Sequence, residues 1–168
     1  MYRRNLLVLC LLAAPACTPD DPLAGNNGPK APALPDSYWT ATAPADAKAV
    51  KDVRKNAKAG DTVVAVGRVK DYTASRAQFQ LADMELIPCN LRPGDQCKTP
   101  WDYCCEAKEA LLEGSIVVEF RDGGKLRKTD VVGFHGFDRL KEAVVRGRVE
   151  RDTTGNVILV ADALHIKP

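Results

Sequence analysis

Four cysteines fall in one short stretch, Cys89-Asn-Leu-Arg-Pro-Gly-Asp-Gln-Cys97-Lys-Thr-Pro-Trp-Asp-Tyr-Cys104-Cys105. Thiols this crowded pair as disulfides, ligate a soft metal, or exchange electrons. The intervals are uneven, with seven residues between the first two, six before the third and none before the last. Structural zinc sites more often use paired Cys-x-x-Cys knuckles. Thr99-Pro100-Trp101-Asp102 carries helix-start signals: a capping Thr, a Pro at the first position and an early acid facing the dipole. The expected helix runs from Thr99 to Glu113 and stops at Gly114. Neighbours on a helix point about 100° apart, so Cys104 and Cys105 would face different partners. The expectation is two disulfides, joining Cys104 and Cys105 to Cys89 and Cys97 in either order, with no metal ligand and no cofactor. A metal-binding or thiol-redox use of the same four residues is the alternative.

Other chemistry is sparse. The chain shows no nucleophile with a base and orienter, no paired-carboxylate motif and no phosphate loop, and Asp122-Gly123-Gly124 reads as a hairpin turn. The expectation is therefore a protein that is not an enzyme. His135, between Phe134 and Gly136, reads as a loop residue, and His165 as a surface position on a strand.

The N-terminus assigns a compartment. Arg3 and Arg4 precede the apolar run Leu6 to Ala14, and small residues lead from it to Cys17. This is the pattern of a secretory signal over residues 1–16, and the run is too short to span a bilayer, which takes about 20 residues. Ending on a cysteine, it also resembles a bacterial lipobox, which implies that Cys17 is acylated and tethers the chain to a membrane. The plainer alternative is cleavage after Ala16 that leaves a free thiol. In an oxidising envelope compartment an even set of cysteines is the usual disulfide signature. Residues 17–45 hold Pro19, Pro22, Pro29, Pro32, Pro35 and Pro44 and read as a flexible tether. Tyr38 and Trp39 are the exception, expected to dock on the folded domain.

Residues 46–168 form that expected domain, with residues 88–114 as a cysteine-rich insertion. Asp46 to Lys58 reads as a short amphipathic helix carrying Val50, Val53 and Ala57 on one face. Asp61 to Asp71 alternates as a strand, with Val63, Ala65, Gly67 and Val69 on one side and a bend at Gly67. Arg76 to Asp83 pairs back as a hairpin, with Phe79 and Leu81 inward and Gln78 and Gln80 outward. Ser115 to Phe120, Leu126 to Phe134, Ala143 to Arg151 and Val157 to Ile166 complete the strands. Val144-Val-Arg-Gly-Arg-Val149 echoes the first strand's Val64-Ala-Val-Gly-Arg-Val69.

The bent first strand, the Phe79-x-Leu81-x-Asp83 second strand and the closing Val157-to-Ile166 strand resemble an OB-fold over about residues 61–166. The cysteine run is similar to stretches in uncharacterised exported bacterial lipoproteins. The resemblance implies a mainly β, closed or partly open barrel of five to six antiparallel strands, with one inserted helix and one short N-terminal helix. The inserted helix precedes the third strand here, where the OB pattern places it after. Single-stranded nucleic-acid binding is the activity such a barrel suggests, and the composition argues against it. From Asp61 onward, sixteen Lys and Arg face seventeen Asp and Glu, and Phe79, the aromatic of the second strand, falls on the core side. The expected function is a non-catalytic, lipid-anchored envelope module whose partners are the membrane and an envelope protein or small ligand.

Overall fold

The computed structural model describes residues 33–168, so the expected signal over 1–16, Cys17 and the expected tether as far as residue 32 lie outside the described residues. The elements in chain order are β1 (Lys48–Ala49), α1 (Val50–Asn56), β2 (Thr62–Tyr72), β3 (Gln78–Ala82), α2 (Lys108–Glu113), β4 (Ser115–Glu119), β5 (Arg121–Asp122), β6 (Lys125–Leu126), β7 (Glu142–Arg151) and β8 (Val157–Ile166). The strands make a mainly β, barrel-like domain. In the order β2-β3-β4-β8-β7 each is bonded to the next, and β7 returns to β2, which closes a five-stranded ring. Period-two alternation along β2 sends Val63, Ala65 and Val69 into the core, where Phe79, Leu81, Val145 and Leu159 meet them.

Two glycines let the ring close. A Cβ at Gly67 would stand 2.4 Å from the Ala82 carbonyl oxygen, and one at Gly147 would stand 2.5 Å from that of Val160. Both distances are too short for any side chain, so β2 and β7 pass their neighbours closely only because these positions are bare. The sequence echo between the two strands therefore marks equivalent places in the ring.

The sheet is mixed, which corrects the expectation of antiparallel strands throughout. β4 runs parallel to β8, pairing Val117 with Ile158, and β1 runs parallel to β2. The strand expected from Leu126 to Phe134 is also absent. Only Lys125 and Leu126 pair, with Arg121 and Asp122, and the chain then loops. Gly133, His135 and Gly136 all take positive φ there, which breaks the extended path and drops Phe134 and Phe137 into the barrel. The N-terminal helix is shorter than expected, because Lys48 and Ala49 are drawn into pairing with β2. Its start is capped from a distance: the buried Asp83 accepts the Lys51 amide at 2.8 Å and the Glu85 amide at 3.0 Å.

Tyr38 and Trp39 dock on the domain as expected. Leu34 is buried in the core, the Tyr38 hydroxyl donates to the Arg121 carbonyl at 2.9 Å, and Trp39 bridges to Leu164. No helix among the described residues is long and apolar enough to cross a membrane.

A four-cysteine cluster beside the barrel

The segment between β3 and β4 departs most from expectation. Thr99 to Ala107 is a series of turns, and helix α2 covers only Lys108–Glu113. The reason lies in the carbonyls. Pro100 and Asp102 accept the amides of Asn90 and Cys89, at 2.7 and 2.8 Å. Those carbonyls would otherwise close the helix. The segment is folded back on the Cys89–Leu91 turn, with Tyr103 as its anchor, 1% exposed and packed with Leu86 and Ala82. Trp101, by contrast, is 41% exposed and lies 5.7 Å from the Arg139 guanidinium.

This fold-back brings all four cysteines together. Cys89 arrives on its short 3-10 turn and is fully buried. Cys97 comes just after the turn at Gly94, which has positive φ, and its amide donates to the Asp95 carboxylate at 3.2 Å. Cys104 and Cys105 come directly after the anchored Tyr103. Beneath them the Glu106 carboxylate accepts from both the Ile87 amide and the Arg92 guanidinium, tying the two arms. The Cys104 sulfur lies 3.3 Å from Cys89 Sγ, 3.3 Å from Cys97 Sγ and 3.9 Å from Cys105 Sγ. The four sulfurs all lie within 4.8 Å of one another. No pair stands at the roughly 2.05 Å of a disulfide, and all four are free thiols. The expected 100° divergence of Cys104 and Cys105 fails with the helix that required it.

The thiols are not equivalent. Burial pushes the Cys89 thiol up, but hydrogen bonds from the Cys104 and Cys97 thiols and from the backbone amides of Cys104 and Cys105 outweigh it, holding Cys89 below its ordinary value. Cys97 is pushed well up, first by its hydrogen bond to Asp95 and then by Cys104 and Cys89. Cys104 is raised, chiefly by its bond to Cys89.

Elsewhere, the two histidines meet around one aromatic, a grouping sequence reasoning missed. Trp39 stacks on His135 at 4.3 Å and 7°, and on His165 at 5.6 Å and 20°. His165 donates from Nδ1 to the Thr40 carbonyl at 2.8 Å, so it is a half-buried docking residue and not merely a surface one. Two arginines on the ring strands β2 and β7 are engaged within the domain: Arg146 pairs with Asp162 at 2.8 Å, and Arg68 donates to the Leu86 carbonyl. A groove of about 450 Å³ crosses the outer face of β3, β4 and β8, lined by Arg54, Lys70, Gln78, Gln80, Glu119 and Asn156 among others. No known family matches the chain, and no curated protein matches it in sequence.

Proposed function

We propose that this chain is a lipid-anchored protein of the bacterial cell envelope whose barrel is of the OB type and serves as a non-catalytic interaction module. The supporting observation is the ring itself. Its order β2-β3-β4-β8-β7, with a parallel pair between the third and last strands, is an arrangement suited to the Greek-key barrel of that class. Fold alone does not decide the ligand, so the reading rests also on the groove over β3, β4 and β8. Its lining mixes Arg54, Lys70 and Lys108 with Glu119 and Asp152, and much of the remainder is apolar, Leu111 and Ile158 included. Such a surface of mixed charge suits an amphipathic peptide or a neutral ligand better than a polyanion, and no aromatic lines it to stack a base. Acylation at Cys17 would then hang the module on a Pro-rich spacer whose end is docked by Tyr38 and Trp39.

A photo-crosslinking residue placed at Gln80, compared with one at Arg146 on β7, tests the reading in intact cells. Adducts are expected from Gln80 and not from Arg146, and Cys17→Ala should abolish fatty-acid labelling and release the protein from membranes. Equal adducts at both positions, or membrane retention without Cys17, would overturn it.

A further inference from the structure

We infer that Cys89, Cys97, Cys104 and Cys105 form a four-thiolate binding site for a zinc ion. A zinc ion bound by four sulfurs at about 2.3 Å in a tetrahedron sets the sulfurs roughly 3.8 Å apart. The observed separations of 3.3, 3.3 and 3.9 Å, all within a 4.8 Å cluster, bracket that value. Paired disulfides would leave a different arrangement. Each bond joins two sulfurs and turns them from the others, whereas Cys104 stands at 3.3 Å from both Cys89 and Cys97. Four sulfurs all within 4.8 Å of one another, with Cys104 equally near to two of them, are gathered closely enough for a four-coordinate cation.

The surroundings serve a thiolate cluster. The surrounding backbone is fixed independently of the sulfurs, as a preformed metal site requires. The two ligand-bearing arms are pinned to each other without the cysteines' side chains, through the amide of Cys89 to Asp102, Asn90 to Pro100, and Glu106 to Ile87 and Arg92. The geometry is thus prepared before a metal arrives. Cys89 is buried, while Cys104 and Cys105 are exposed, so the ion enters from the outer side. A hard cation such as magnesium or calcium takes oxygen ligands, and the four ligand atoms gathered here are all sulfur. Four thiolates exceed the small coordination number that monovalent copper takes with sulfur, which favours zinc. Binding exchanges the thiol protons for the metal: the four S–H groups become Zn–S bonds, and their protons pass to solvent. The alternative that the sequence suggests, two structural crosslinks, is the competing outcome.

The test uses the full chain, purified in detergent from cells without added reductant. Elemental analysis is expected to give one zinc per chain, with four thiols that react with maleimide only after chelation. Cobalt loaded in place of zinc should show tetrahedral ligand-field bands and thiolate charge transfer. Cys105→Ser should weaken zinc retention about tenfold or more, while Cys105→His, which restores a zinc ligand as an imidazole nitrogen, should keep one zinc per chain. Because the barrel's core lies apart, unchanged strand amide protection in both variants reports that they have folded. Disulfide-linked peptides joining these cysteines with no metal, an octahedral cobalt spectrum, or stoichiometric copper or iron in place of zinc would each overturn the inference.

Discussion

The barrel and its cysteine insertion are ordered by different forces. The barrel packs twenty-four buried residues into one cluster, from Leu34 to Ile166. The insertion's own cluster holds only Ala82, Leu86 and Tyr103, with Ala110, Leu111 and Leu140 leaning on it. Burial stabilises at roughly 25 cal/mol per Å² of apolar surface, so the first region holds itself and the second barely does. Backbone bonds from Cys89 and Asn90 to Asp102 and Pro100, the Glu106 ties and the four thiols make up the difference. The contrast places the chemistry where hydrophobic packing is thinnest, so ligand binding there can change local order at little cost to the fold.

The largest break in that contrast comes from the barrel side. Gly67→Val pushes a Cβ to 2.4 Å from the Ala82 carbonyl and 2.9 Å from Leu81 and Val50. Backbone cannot yield as a flexible side chain would, so the loss should exceed about 3 kcal/mol. Thermal melting is the measurement, and it should report barrel and insertion failing together. An unchanged midpoint would remove the close strand crossing from the account.

Tyr103→Ala comes next, at about 3 kcal/mol if the cavity stays open. Here the loss should be local. Protease sites between 88 and 107 should become accessible while β2 and β7 keep their protection from exchange. Equal exposure of both regions would mean that the insertion is part of the barrel's cooperative unit.

A third perturbation separates the two chemistries open to the thiols. With zinc bound, a chelator should speed amide exchange over residues 88–107 and leave the strands alone, while a reductant by itself does nothing. With disulfides the two reagents swap effects. Mass-resolved exchange after each treatment distinguishes them.

The same division explains how much of the molecule is legible in its sequence. Strand alternation at Val63, Ala65 and Val69, and at Phe79 and Leu81, is a local signal, and those side chains are where it puts them. The parallel pair of β4 with β8 is not legible, because Val117 and Ile158 are brought together by ring closure and by nothing near either in sequence. The helix expected over Thr99 to Glu113 fails for a physical reason. Thr-Pro-x-Asp starts turns as readily as helices, and the Pro100 and Asp102 carbonyls are taken by partners ten or more residues away. The divergence of Cys104 and Cys105 depends on that helix and is lost with it. Tyr103 gives no advance signal, because one tyrosine among polar neighbours has no periodicity, although it anchors the whole segment.

The smallest expected effect tests a turn on the barrel side that uses no burial. Asp152 sits between β7 and β8, and its carboxylate accepts from the Asn156 side chain at 2.9 Å, the Thr154 hydroxyl at 2.7 Å, and the Asn156 and Thr154 amides at 2.8 and 2.9 Å. These donors hold its acid down to about 2, with Asn156 the largest contributor and Thr154 next. Because the folded value lies below the ordinary 3.8, the charged form favours folding. Its contribution is whole above about pH 4 and fades as pH falls through about 2. Asp152→Asn should therefore lower the melting temperature slightly at pH 6 and make no difference near pH 1.5. Solvent surrounds this turn, so the shift should be small beside that of Tyr103→Ala. If the two proteins differ equally at both pH values, the turn is held by shape alone. The hairpin between β7 and β8 would then owe nothing to this charge.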